Sequence, residues 1–490
     1  MKGAPHVLGM RQFEDVNVST GGRFSSGWLA GLGLLSEAEL AEAERVVDMI
    51  DNDRIETLRV LFCDQHGILR GKTITAHAVS PLFQKGITVP STLLLKDTSH
   101  RTVFSVWDKD PGTGSVDMRG ANDILLVPRP ATFHRLPFSD HSAWILADTH
   151  HRSGAPIGFS SRTVLKTALN RLADSGFGLL AGLEVEFHLF ENCESSGSIR
   201  PITKGRQYLT GTRYGEAEAV LDALRRHAET MAMPVRSVEI EMGPGQFEFT
   251  FDPSGALDQA DLYVMFRAMV KEVAQKHGLT ASFMAKPKID GVMGSGWHIH
   301  QSLVDLSSGR NLFMPERAGE ITKEAKHWIA GLLKHARAMC LMTNPTVNSY
   351  KRFSSYQLAP DRIAWGEDNR GAMIRALFDV NDPASRIENR VADTSANPHY
   401  AFAAQILAGL DGLSRELEPP LPSLTPYDDS SEYLPASLGD AIADFEESPL
   451  FREALGEEFA TYLSVLKRAE WQRYLGALSE WEQEEYFDLF

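Results

Sequence analysis

Leu183-Glu184-Val185-Glu186-Phe187 alternates apolar and acidic side chains, the period of a strand with one face in the core. Residues two apart share a face, so Glu184 and Glu186 stand side by side, where like charges repel. Three distant segments carry the same pattern. Phe247-Glu248-Phe249-Thr250-Phe251 sets aromatics against Glu248, and Glu241 precedes it across the turn signal Gly243-Pro244-Gly245. Trp297-His298-Ile299-His300 aligns two imidazoles, and Arg386-Ile387-Glu388-Asn389-Arg390 aligns Arg, Glu and Arg. Taken singly, each reads first as the solvated face of a half-buried strand. Taken together they point elsewhere: clustered carboxylates are costly without cations, and oxygen-rich sites with one nitrogen suit Mg²⁺ or Mn²⁺ rather than zinc. Two hard divalent ions are expected.

Arginines stand out beside these acids: Arg352, Arg370, Arg375, Arg386 and Arg390. Singly, each is a surface ion-pair partner. As a group beside metal ions, guanidinium forks that match phosphate and carboxylate oxygens favour phosphoryl transfer.

Around this nucleus the chain reads as an α+β protein in three parts. Residues 1–35 are Gly- and Ser-rich and read as a flexible extension. Ser36 with Glu39 forms a capping box ahead of a helix to about residue 50, and strands over 55–64 and 68–75 flank a Gln65-His66-Gly67 turn. A small β-rich domain over 36–137 follows from these, ended by Pro128, Pro130 and Pro137. From 138 to 490, strand patterns alternate with amphipathic helices starting near Val164, Leu262 and Trp328, and the last fifty residues are helical and acidic. Residues 417–435, with five prolines, read as a loop or lid. Gly67-Ile-Leu-Arg-Gly71-Lys72-Thr73 imitates a phosphate-binding loop but has three spacer residues where four are needed, and a strand follows it.

Composition narrows the class. The 490 residues carry 49 basic and 65 acidic side chains, a formal charge of −16, which argues against nucleic acid and anionic membranes as partners. Cys63, Cys193 and Cys340 form no C-x-x-C, and no run reaches the ~20 apolar residues of a membrane span. A cytoplasmic protein is expected.

The segments Glu184-Val-Glu186, Glu241-Met-Gly-Pro-Gly-Gln-Phe-Glu248, Gly294-Ser-Gly296-Trp-His298-Ile-His300-Gln-Ser302, Asn344-Pro to Arg352, Asn369-Arg370 and Arg386-Ile-Glu388-Asn-Arg390 together resemble the glutamine synthetase superfamily, from about residue 55 onward. Asn397-Pro398 to Gly412 and Trp481-Glu482 look like its bacterial type I branch. The resemblance implies a small β-grasp domain followed by a large catalytic domain, in a dodecamer of two stacked hexameric rings with each site between neighbouring subunits. It implies ATP and two or three Mg²⁺ or Mn²⁺ as cofactors. Glu186, Glu241 and Glu248 would hold one ion, and Glu184, His298 and Glu388 another. Arg352 and Arg390 would grip L-glutamate, with Gly294, Gly296, His300 and Leu358 beside it. Arg370 and Arg375 would neutralise the transferring phosphoryl group, with Ser302 and Arg386 on the nucleotide side. The implied chemistry is a γ-glutamyl phosphate intermediate captured by an amine.

Two departures from that family bear on the amine. Ammonia-using members carry an aspartate in an Asp-Gly-Ser-Ser segment and a glutamate on a flap; here Val89-Pro-Ser-Thr-Leu-Leu-Leu95 and Leu358 take those places. Met293 replaces an asparagine, and Trp297 a smaller residue. Losing two acids removes attraction for ammonium and a proton acceptor. A γ-glutamylamide synthetase acting on a hydrophobic or aromatic amine is therefore expected, against an ammonia-dependent glutamine synthetase, a γ-glutamylpolyamine synthetase, a two-metal hydrolase or a non-catalytic structural relative.

Overall fold

The computed structural model describes residues 22–114, 116–193, 198–206, 208–353, 358–428 and 430–490. The first sheet contains β1 (Thr57–Cys63), β2 (Leu69–Thr75), β3 (Ile87–Pro90), β4 (Asp123–Pro128), β5 (His134–Arg135) and β6 (Ser142–His150). Its order is β2-β1-β6-β4-β3 with β5 on β6. β1 and β6 run parallel and the other pairs antiparallel. The phosphate-loop imitation is the β1–β2 hairpin. Helix Glu37–Asn52 starts at the expected capping box, with the Ser36 N–H donating to Glu39 Oε2 at 2.8 Å, and buries Val46, Val47 and Ile50.

Two boundaries differ from expectation. Residues 22–35, assigned to a loose extension, are packed: Phe24 and Leu29 are fully buried, and Arg129 donates to the Leu34 carbonyl at 3.1 Å. A few apolar anchors fix a segment whose Gly and Ser content suggested otherwise; residues 1–21 lie outside the described residues. The edge placed at 137/138 falls inside the first sheet, because β6, buried throughout, pairs with both β1 and β4. Pro128 ends β4 and Pro130 opens a single 3₁₀ turn, so these prolines punctuate a strand connection.

The second sheet holds β7 (Phe177–Cys193), β8 (Ser198–Pro201), β9 (Val235–Ile240), β10 (Gln246–Phe251), β11 (Ser254–Gly255), β12 (Leu279–Ser282), β13 (Trp297–Asp305), β14 (Trp365–Glu367), β15 (Ile374–Leu377) and β16 (Arg386–Asn389). Its main path is β14-β15-β16-β13-β7-β10-β9, and β8, β11 and β12 also pair with β7. One face is dry. Phe187 lies against Phe247, Phe249, Phe266 and Phe283 at centroid separations of 5.3–6.3 Å, and Trp297 stacks on Tyr263 at 4.8 Å. Helix Ala256–Lys276, which carries Tyr263 and Phe266, covers this face, so alternation must turn the acids of β7 and β10 to the other. The stretch expected as a single helix from Trp328 is two, Lys323–Lys334 and Ala336–Thr343. No helix among the described residues is long and apolar enough to cross a membrane.

Candidate active site

Strand register brings the four acidic or imidazole segments together. Glu248 on β10 faces Glu186 on β7, His298 on β13 faces Glu184, and His300 faces Glu388 on β16. Directly opposed residues on antiparallel strands project to the same side, so these side chains form one polar surface. Glu241, at the β9–β10 turn, completes a trio with Glu186 and Glu248 whose ligand oxygens all lie within 4.8 Å of one another. Gly245 makes that turn possible: its φ is +64°, and a Cβ there would approach the Leu189 carbonyl to 2.6 Å.

The trio is electrostatically unfavourable as it stands. Burial, then Glu186, pushes the Glu241 carboxyl up to about 8. Burial, then Glu184 and Glu186, raises Glu248 well above the carboxylate range. Three buried carboxylates with no cation among them suit a hard divalent ion in chemistry, and their spacing lets one ion touch all three. Glu186 is already aimed: its Oε2 accepts from the Gly296 N–H at 2.8 Å and from Gln246 Nε2 at 2.8 Å, leaving Oε1 for a ligand.

Glu184, His298 and Glu388 also converge. His298 Nδ1 lies 3.0 Å from Glu184 Oε2 and 3.5 Å from Glu388 Oε1. Burial opposes the charge on Glu184, but hydrogen bonds from His298 and His300 outweigh it and hold that carboxyl far below its ordinary value. Glu388, fully buried, is kept low against burial chiefly by Arg390, which pairs with its Oε1; Arg375 Nη1 reaches Oε2 at 3.1 Å. His300 lies between Arg386 and Glu184. Arg386 Nε donates to its Nδ1 at 3.0 Å, which fixes the proton of the neutral ring on Nε2, and that N–H donates to Glu184 Oε1 at 2.8 Å.

A cavity of about 300 Å³ opens over this surface. Arg352, Arg370, Arg375, Arg390, Gly294 and Leu358 line it beside the acids. Arg352 is 4% exposed and forms no ion pair among the described residues; its Nη1 and Nη2 donate to the Val391 and Arg390 carbonyls at 2.9 and 3.1 Å. Two glycines make room for it. A Cβ on Gly294 would meet Arg352 Cγ at 2.6 Å, and one on Gly296 would meet Nη2 at 2.6 Å. Gly296, His300, Glu388, Ser302 and Arg386 do not line the cavity. Of the two expected on the nucleotide side, Ser302 donates its hydroxyl to the Ser385 carbonyl at 2.9 Å, and Arg386 donates to His300 and the Ala384 carbonyl.

Sequence reasoning assigned no role to Tyr208, Glu239 or Gln246, all of which line the cavity. Glu239 was findable, because Glu239-Ile240-Glu241 repeats the alternation and Glu239 faces Glu248 in register. Tyr208 reaches the site from a loop without a pattern. Burial, then Glu241, pushes its hydroxyl up to about 12, so it stays protonated as a donor. In the flap, residues 354–357 lie outside the described residues; Leu358 follows them with φ +57° and its carbonyl 3.5 Å from Arg390 Nη2. Of the segment equated with the missing aspartate, Leu94 and Leu95 are core residues rather than an open apolar surface.

The sequence pattern of the glutamine synthetase catalytic domain matches residues 159–486, and the chain belongs to that family of ATP-dependent ligases. Among its relatives, it is 34% identical over 487 residues to a gamma-glutamylanilide synthase of Acinetobacter sp, covering 93% of this chain and 97% of the relative. It is 30% identical to a glutamate–isopropylamine ligase of Pseudomonas sp, over 93% of this chain and all of the other. The solved structure of apo GmaS superposes with a TM-score of 0.78 at 30% identity, covering 90% of this chain and 99% of that one.

Proposed function

We propose that the protein joins the γ-carboxylate of L-glutamate to an organic amine at the expense of ATP, with a hydrophobic or aromatic amine as acceptor. The observation that carries this reading is Leu358 in the cavity lining, its carbonyl beside Arg390: by the resemblance, an apolar residue stands at the position where ammonia-using members carry an acid. An arylamine is neutral at pH 7 and needs no such acid, whereas ammonium does. The anilide and isopropylamide relatives support the same class of acceptor.

Glutamate is held by Arg352 and Arg390. The buried, unpaired Arg352 supplies a cation whose desolvation is offset once a substrate carboxylate arrives. The γ-carboxylate attacks the ATP γ-phosphorus, the bond to the ADP oxygen breaks, and γ-glutamyl phosphate forms. Arg370 and Arg375 line the cavity where negative charge spreads over the moving phosphoryl oxygens. The amine then attacks the acyl carbon, phosphate leaves and the nitrogen loses a proton. Divalent ions held by Glu186, Glu241 and Glu248, and by Glu184, His298 and Glu388, would supply the charge that neutralises the ATP phosphates.

The first sheet is read as the β-grasp domain of a subunit in two stacked hexameric rings, acting in the cytoplasm. Every described residue lining the cavity falls between 184 and 390, so a neighbour's first domain has an open wall to complete. Glutamate labelled with ¹⁸O in its γ-carboxylate tests the intermediate: one labelled oxygen must appear in the released phosphate, and unlabelled phosphate would overturn the sequence of steps.

A further inference from the structure

A second cavity, about 320 Å³, lies away from the catalytic surface, between the β1–β2 turn and helices Ala256–Lys276, Pro398–Ser414 and Pro449–Leu475. Its charge is out of keeping with a chain of net −16. Arg267, Lys271 and Lys467 line it, and no carboxylate does among the described residues. Arg267 and Lys271 are four apart on one helix face, where like charges repel. Arg267 gives its N–H groups to the Gly67, Thr394 and Ala396 carbonyls and forms no ion pair among the described residues. Lys467, 3% exposed, has a single acid within reach, Glu470 at 3.4 Å. Lys271 stands exposed at the edge, with no ion pair among the described residues. The remaining wall includes apolar Phe283, Leu341 and Leu463.

Two of the side chains lining the same space have unused acceptors. Gln65, 4% exposed, spends its amide N–H groups on the Leu93 and Lys96 carbonyls, and its Oε1 is buried without a partner. His66 Nε2 donates to the Lys96 carbonyl at 2.9 Å, which leaves Nδ1 as the ring's acceptor. Three cations, an apolar wall and two unused acceptors define a ligand.

We propose that this cavity binds a small organic anion: a carboxylate on an apolar body that also carries a hydroxyl or amide N–H donor. The carboxylate sits between Lys271 and Lys467 and offsets the repulsion between the cations. The donor reaches His66 Nδ1, with Gln65 behind it, and the body lies on Phe283, Leu341 and Leu463. The volume is at the lower end of the ~300–1,000 Å³ usual for ligand pockets. Because the β1–β2 turn and Thr98 come from the part of the chain that holds the first sheet and the remaining lining from the catalytic half, a bound anion links the two and stabilises their docking by mass action.

Calorimetry on the full-length assembled enzyme with 3-(4-hydroxyphenyl)propionate tests this, with glutamate, ADP and Mg²⁺ saturating the catalytic cavity. One molecule should bind per chain. Lys271→Glu should weaken binding at least ~10-fold and leave ligase turnover unchanged, while Lys271→Arg should restore most of the affinity. 3-(4-Hydroxyphenyl)propan-1-ol, which lacks the carboxylate, should bind at least ~10-fold more weakly. No saturable heat, or equal affinity in the wild type and Lys271→Glu, would overturn the assignment.

Discussion

Glu241 and Glu248 carry the electrostatic penalty of the catalytic surface, and they set its response to pH. Glu241 keeps its proton in the metal-free fold up to about 8 but releases it near 4.5 when unfolded. The unfolded chain therefore holds fewer protons between those values, so the metal-free fold loses stability as pH rises from 4.5 to 8. A divalent ion removes that penalty. The rise in melting temperature on adding Mg²⁺ to chelator-treated enzyme should be larger at pH 8 than at pH 6, and equal rises would contradict the trio as a metal site. At the other end of the cavity, Leu358→Glu should raise the rate ratio of ammonia to arylamine at least ~10-fold, and an unaltered ratio would show that residue 358 does not meet the acceptor. The acids were legible as candidate ligands because alternation places those of one strand on one face; register, which joins the strands, was not. Tyr208 was not, since it arrives from an irregular loop, and the hydrogen-bond partners of Ser302 and Arg386 are neighbours that no local pattern reveals.

At the scale of elements, the close approaches of glycine are the most exposed to test. Gly294→Ala puts a methyl into Arg352 and should raise the KM for glutamate ~10-fold or more with the fold retained. An unchanged KM would detach Arg352 from glutamate. Helices Lys323–Lys334 and Pro398–Ser414 meet through Gly331 and Gly412, where a Cβ on either would overlap backbone of the facing helix. Gly331→Ala should destabilise by about 1–3 kcal/mol in chemical denaturation, the range for overpacking, with metal ligands untouched. A neutral result would mean that the helices can separate at little cost. The strands here were readable from period-two patterning, and the Ser36 capping box from its spacing. Their partners were not: nothing local says that β6 returns to β1, and three prolines in ten residues imitate a domain edge when Pro128 ends one strand, Pro130 opens a 3₁₀ turn and Pro137 lies in the turn after β5.

For the whole molecule, the chain divides its labour between two sheets. The second sheet and the loops around it line the cavity, with apolar residues packed under one face of the sheet and charges gathered over the other. The cost of that concentration is carried by burial elsewhere, and by cations: arginines from β15, β16 and their flanks, joined under the proposed function by divalent ions. The large negative net charge, the paired carboxylates and the arginines were all visible in sequence, as was the family; the second, positively charged cavity was not, because Arg267, Lys271, Lys467 and the β1–β2 turn meet only in the fold. The reading rests most heavily on the acceptor. Initial rates of ADP and γ-glutamylamide formation, measured with glutamate, Mg²⁺-ATP and a panel of ammonia, methylamine, isopropylamine, putrescine and aniline, test it most directly. The highest kcat/KM should fall on aniline or isopropylamine, with one amide formed per ADP; ammonia as the best acceptor, or ADP released without amide for every amine, would contradict it.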